Sequence, residues 1–102
     1  MKLFDLYLSR LRAKAAPDLP VKIRFVEGLE RIAGDTAFTS KTDTHYLIEF
    51  DQKLGDDMAA LLLVHEWAHT LAKPWDSREH HSNAWGIKHA KCWRVAVEDK
   101  KR

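Results

Sequence analysis

Cysteine is almost absent: Cys92 stands alone in the chain. It has no partner for an intrachain disulfide, and its isolation excludes any Cys-x-x-Cys zinc ribbon. Long hydrophobic runs are also missing. No segment approaches the ~20 apolar residues that span a bilayer, so no membrane partner is expected. The opening Met1-Lys2-Leu3-Phe4-Asp5 is apolar only intermittently and is soon followed by Arg10 and Arg12, a poor secretory signal. A cytoplasmic setting is the expectation. A strong charge imbalance is lacking too. The formal net charge of +2 is too small to call for nucleic acid. Basic residues gather at Arg10, Arg12 and Lys14 and again at Lys100, Lys101 and Arg102. Solubilising ends on a near-neutral domain account for them, and any DNA association has only this support. Repeats and low-complexity segments do not occur. Nothing in the chain bears on its oligomeric state.

What is present fits one domain spanning 1–102. A chain of 102 residues with 45% hydrophobic content carries a modest core. So small a domain buries a smaller share of its surface than a large one, and a bound metal would add useful stability.

Residues 3–16 read as an amphipathic helix, with Leu3, Phe4, Tyr7, Leu8 and Leu11 on one face. Pro17 and Pro20 break it. Val21 to Val26 alternates as a strand, and 27–34 reads as a connection with a helical turn. Strands over 36–40 and 44–50 are joined by the polar turn Lys41-Thr42-Asp43. Asp56 or Asp57 is placed to cap a helix running to about Ala72. That helix is apolar on every side between Met58 and Val64, which predicts burial all round. Pro74 closes it. After a loop, Ser82 caps a last helix with Trp85, His89, Cys92 and Ala96 along one stripe. The expected fold class is α+β: an N-terminal helix, a three-stranded mainly antiparallel sheet, a buried helix and a C-terminal helix.

The chemistry concentrates in His65-Glu66-Trp67-Ala68-His69. Two histidines four apart on a helix share a face, about 6 Å apart along the axis. Both imidazoles can then reach one Zn²⁺ at about 2.0–2.1 Å. Glu66 stands beside the metal and is the candidate general base, taking a proton from the attacking water. A catalytic zinc needs a third protein ligand and an open position. The downstream candidates are His81, His80 and Glu79. His81 is preferred because it directly precedes the cap Ser82, at the start of the last helix. His80 is the alternative ligand or a substrate contact.

These residues resemble the SprT-like metallopeptidases, a zincin family that includes the Spartan proteases. The shared features are the apolar lead Leu61 to Val64, the motif at 65–69, a short loop, and His81-Ser82-Asn83-Ala84-Trp85. The family carries a His-Gly-x-x-aromatic element at that place, whose His is the third zinc ligand. Ser82 replaces the usual Gly. The resemblance covers roughly residues 20–97. It implies a zincin-like fold, one catalytic zinc on His65, His69 and His81, and a protein or peptide substrate. It also likens the strand Tyr46 to Phe50 to the family's edge strand along the substrate cleft. No counterpart of the family's frequent zinc ribbon or DNA-binding extension precedes Arg102. The implied protein is a minimal catalytic domain of the kind encoded by bacteria and phages.

An oxyanion stabiliser is expected in such chemistry, and His80, Arg78 and Tyr46 are the candidates. Asp76 or Glu79 is placed to hold a ligand imidazole in its tautomer. Trp67, Trp85 and Cys92 read as core, Trp75 as core or pocket wall, and His89 as a core or supporting histidine. His45 is expected to be exposed. Two further functions remain open on these residues: a zinc-containing binding module for nucleic acid or protein, and a zinc amidase acting on cell-wall peptide.

Overall fold

Apolar spacing of three and four builds the first helix. A computed structural model of the protein describes residues 1–75 and 81–98. In it α1 (Lys2–Lys14) buries Phe4, Tyr7 and Leu11. Strand β1 (Val21–Val26) follows, then the short helix α2 (Leu29–Ala33), strands β2 (Ala37–Lys41) and β3 (Tyr46–Asp51), and helices α3 (Asp56–Leu71) and α4 (Asn83–Ala96). The class is α+β, with four helices and a mixed three-stranded sheet among the described residues.

The sheet differs from the expectation in two ways. Its order is β1-β3-β2. β3 runs antiparallel to β2, pairing Ala37 with Phe50 and Lys41 with Tyr46. It runs parallel to β1, pairing Val21 with Tyr46 and Val26 with Asp51. The sheet is therefore mixed, not mainly antiparallel. The β2–β3 hairpin inserts with β3 toward β1, so β3 is the central strand and not an edge. Burial explains the order. Tyr46, Ile48 and Phe50 are all fully buried, and the strand with the most to lose from water takes the middle. Among the described residues, the edges of the sheet belong to β1 and β2.

One face of the sheet packs on the helices. The rings of Phe25 and Phe50 stack at 5.3 Å, and Phe4 of α1 meets them edge-on at 5.4 and 5.2 Å. Helix α3 lies at the centre, in contact with α1, α4, β2 and β3. Ala59, Ala60, Leu63, Val64, Trp67 and Ala68 are buried there. Met58 and Leu61 are not, at 53% and 43% exposed. Burial all round was the expectation, but one flank of the helix faces solvent because the neighbours cover only the rest of it.

The cap of α3 also differs. Its N-cap is Gly55, with no side-chain hydrogen bond. Asp56 already lies in the first turn, and its carboxylate accepts from the main-chain N–H groups of Leu3 and Phe4 at 2.9 and 2.8 Å. It therefore satisfies orphan donors at the start of α1, whose own N-cap residue Met1 supplies no such bond. The other end of α1 is held by the Trp67 indole, whose Nε1 donates to the Ala15 carbonyl at 2.8 Å. No helix among the described residues is long and apolar enough to cross a membrane.

Candidate metal centre

Helical periodicity sets the first two groups. His65 and His69 lie one turn apart on α3, with ring centroids 5.5 Å apart. The third arrives at the start of α4. Ser82 is the cap predicted for that helix, and its hydroxyl accepts from the Trp85 N–H at 3.2 Å. This places His81 at the mouth of α4, with its ring 4.8 Å from that of His65 and 5.3 Å from that of His69. One nitrogen from each imidazole lies within 4.8 Å of the other two. Tetrahedral zinc with bonds near 2.05 Å spaces its ligand atoms by about 3.4 Å. The three donors are thus close enough to hold a metal ion, and among the described residues no fourth His, Cys, Asp or Glu joins them. The His65 ring is half-buried, His69 is buried and His81 is exposed, which gives the cluster a sealed side and an open side.

Burial and charge both favour imidazoles able to bind metal. Partial burial pulls His65 below the ordinary histidine range, and the neighbouring His81 and His89 push it the same way. His89 is lowered by burial first and by His81 second. A depressed pKa keeps the ring neutral at pH 7, the state that donates a lone pair.

Glu66 follows His65 by one residue, about 100° around the helix, and so points toward the sheet instead of sharing the histidine face. It is only 3% exposed. Its Oε1 accepts from the Thr39 hydroxyl of β2 at 2.8 Å. Its Oε2 lies 3.8 Å from His65 Nε2. A buried carboxylate needs such donors, since leaving it unpaired costs several kcal/mol on the order of the usual desolvation penalty.

Trp85 forms the wall of the cluster. Its ring stacks on His81 at 4.2 Å and on His89 at 4.8 Å, and sits 4.9 Å from His65 and 5.6 Å from His69. Its Nε1 donates to the His65 carbonyl at 3.4 Å. The His89 ring stands 6.1 Å from that of His65 and outside the three-nitrogen set. Trp85, expected in the core, is partly buried and packs against it while also lining the cluster, whereas the sequence does not mark Thr39. The four-residue spacing of His81, Trp85 and His89 was a usable signal for the first. Nothing local marks Thr39, whose partner is 27 residues away.

The remaining candidates separate. Tyr46 is wholly buried, and its hydroxyl donates to Asp18 Oδ1 at 2.8 Å while accepting from Lys73. Burial first raises the Tyr46 pKa. The bonds from Tyr46 and then Lys73 lower that of Asp18. Partial burial opposes the charge on Lys73, but its bonds to Tyr46 and Asp18 prevail and leave it raised. Tyr46 is thus an anchor joining β3 to the segments that follow α1 and α3, and its ring and hydroxyl are wholly buried. Trp75 packs against it at 5.5 Å. Trp67 is core, as expected. Cys92 is buried, and burial pushes its thiol up to about 12, as befits an inert apolar residue. His45 is half-buried and bonds to Thr42 and Thr44 in the β2–β3 turn. Asp76, Arg78, Glu79 and His80 lie outside the described residues. No family model, curated protein or solved structure gives a significant match to the chain.

Proposed function

We propose that the chain is a zinc-dependent metallopeptidase of the SprT-like, zincin type, with His65, His69 and His81 as metal ligands and Glu66 as general base. The observation that carries this reading is the convergence of three imidazole nitrogens within 4.8 Å, on a buried helix whose next residue after the first ligand is a carboxylate. Three histidine ligands with a carboxylate beside them match the donor pattern of catalytic zinc sites, whereas a structural zinc is closed by four protein ligands. Zinc bound there supplies Lewis acidity and lowers the pKa of a water ligand toward ~7. Glu66 takes the proton of the attacking water at Oε2 and returns it to the leaving amine. Trp85 excludes water from one side of the cluster and holds His81 and His89 by stacking.

The substrate class is an extended protein segment. β2 is an edge strand among the described residues and touches α3 through Thr39 and Glu66, so a peptide adding to that edge would run alongside the base. Strand addition supplies main-chain hydrogen bonds without demanding a particular sequence.

Replacing Glu66 with Gln tests the mechanism. Metal stoichiometry should stay at the wild-type value, and cleavage of an unfolded protein substrate should fall by about 10²–10⁴-fold, the span of general-base contributions. Full cleavage by that variant, or undiminished cleavage by the wild type under a chelator, would sink the assignment. Tight zinc binding with no cleavage of any protein would instead favour a binding module.

A further inference from the structure

Thr39 has a hydroxyl with one proton and two acceptors in reach. Glu66 Oε1 lies at 2.8 Å and the Glu66 main-chain carbonyl at 3.2 Å. The nearer acceptor takes the proton, and with the base ionised, as the proposed mechanism requires, that bond is roughly twice as strong as a neutral one. Both residues are sealed from solvent, at 6% and 3% exposed, so water competes little for the bond. Thr39 sits in β2 in register with Ile48 of β3. Its branched Cβ restricts χ1, and the strand fixes its backbone. The donor is therefore aimed by two rigid elements, the edge strand and α3.

From this we propose that Thr39 is a positioning residue for the general base: its hydroxyl occupies Oε1 and holds the Glu66 carboxylate with Oε2 turned toward the imidazole cluster. The proposal rests on the peptidase reading of the site. A carboxylate of a flexible glutamate samples several rotamers, and only some present a lone pair to a water beside His65. Holding one oxygen restricts the other, which converts part of the alignment cost into an interaction already made in the free enzyme. Because β2 is also the edge strand proposed to take the substrate, one strand aligns both the peptide and the base.

A purely structural tie between strand and helix would lower stability and leave turnover alone, so the test separates the two. Thr39→Val keeps the shape and removes the donor, whereas Thr39→Ser keeps the donor. Steady-state cleavage, bound zinc and thermal melting are measured for both, and for Thr39→Val combined with Glu66→Gln. Thr39→Val should lower kcat about ten- to a hundredfold, as expected for losing a hydrogen bond to a charged group. KM should stay within about twofold and zinc content unchanged, because the bond acts on the base and not on binding. Thr39→Ser should recover most of kcat, to within about fivefold of wild type. In the Glu66→Gln background the Val substitution should cost nothing further, since the residues act as one unit. A wild-type kcat in Thr39→Val, a Ser variant as slow as the Val variant, or full additivity with Glu66→Gln would overturn the role of Thr39 while leaving the metal site standing. Absence of zinc-dependent cleavage in the wild type itself would overturn the peptidase reading, and the role of Thr39 with it.

Discussion

Four imidazoles meet at Trp85, but they do not stand equally. His65, His69 and His81 bring nitrogens together, whereas His89 stacks on the indole with its ring 6.1 Å from that of His65 and stands outside the three-nitrogen set. The difference predicts separable mutants. His81→Ala should weaken zinc binding by more than about 100-fold, because losing a ligand exceeds the roughly 10–100-fold cost of losing a supporting partner. His89→Ala should weaken it by no more than about 10–100-fold and keep one zinc per chain. Competition titration against a chelating dye reads both, and equal losses in the two variants would contradict the three-ligand set. The two histidines of α3 and the acid between them were legible in the residues alone, because an i, i+4 spacing on a helix fixes the shared face. The preference for His81 over His80 came from its place beside the Ser82 cap. The structure brings His81 to the cluster, while position 80 lies outside the described residues.

At the level of elements, the decisive contacts link segments far apart in the chain. Asp56 opens α3 but serves α1, 52 and 53 positions away. The N–H groups of Phe4 and then Leu3 hold its carboxyl below the ordinary carboxylate range. A depressed folded pKa stabilises the fold at any pH above the unfolded value of about 3.9, and that contribution disappears as the pH falls through the folded value. Asp56→Ala should therefore melt at a lower temperature than wild type at pH 7, and the two melting curves should draw together as the solution is acidified below about pH 4. A gap that persisted undiminished at pH 2 would show that the carboxylate charge is not what α1 uses. Element positions were largely readable from apolar period and from Pro17, Pro20 and Pro74. Strand order was not. Alternation says which face of β3 is apolar, yet the same alternation suits an edge or a centre, and a parallel or an antiparallel neighbour. The mixed sheet follows from where the hairpin inserts, and that is a property of the assembled core.

For the molecule as a whole, a domain of 102 residues with its cluster on the central helix should feel the metal in its stability. A ligand that binds only the folded state adds about 4 kcal/mol when present at a thousandfold over its Kd. For a domain of this size that corresponds to a Tm rise on the order of 15–30 °C. Adding a chelator to the zinc-loaded protein should reverse the rise, and re-adding zinc should restore it. A Tm indifferent to both would argue against a folded-state metal site at His65, His69 and His81.

Spacing along the chain was enough to determine the helices that carry the histidines, the face they share, the acid beside them and the cap that delivers His81. All of these are local, set by backbone geometry within a few residues. Tertiary structure alone decided that β3 lies between its neighbours, that β2 lies at an edge among the described residues, that Asp56 caps a distant helix, that Trp85 walls the cluster and that Thr39 reaches Glu66. Each of those depends on which surfaces bury each other, and periodicity records that a face is apolar without recording what will cover it.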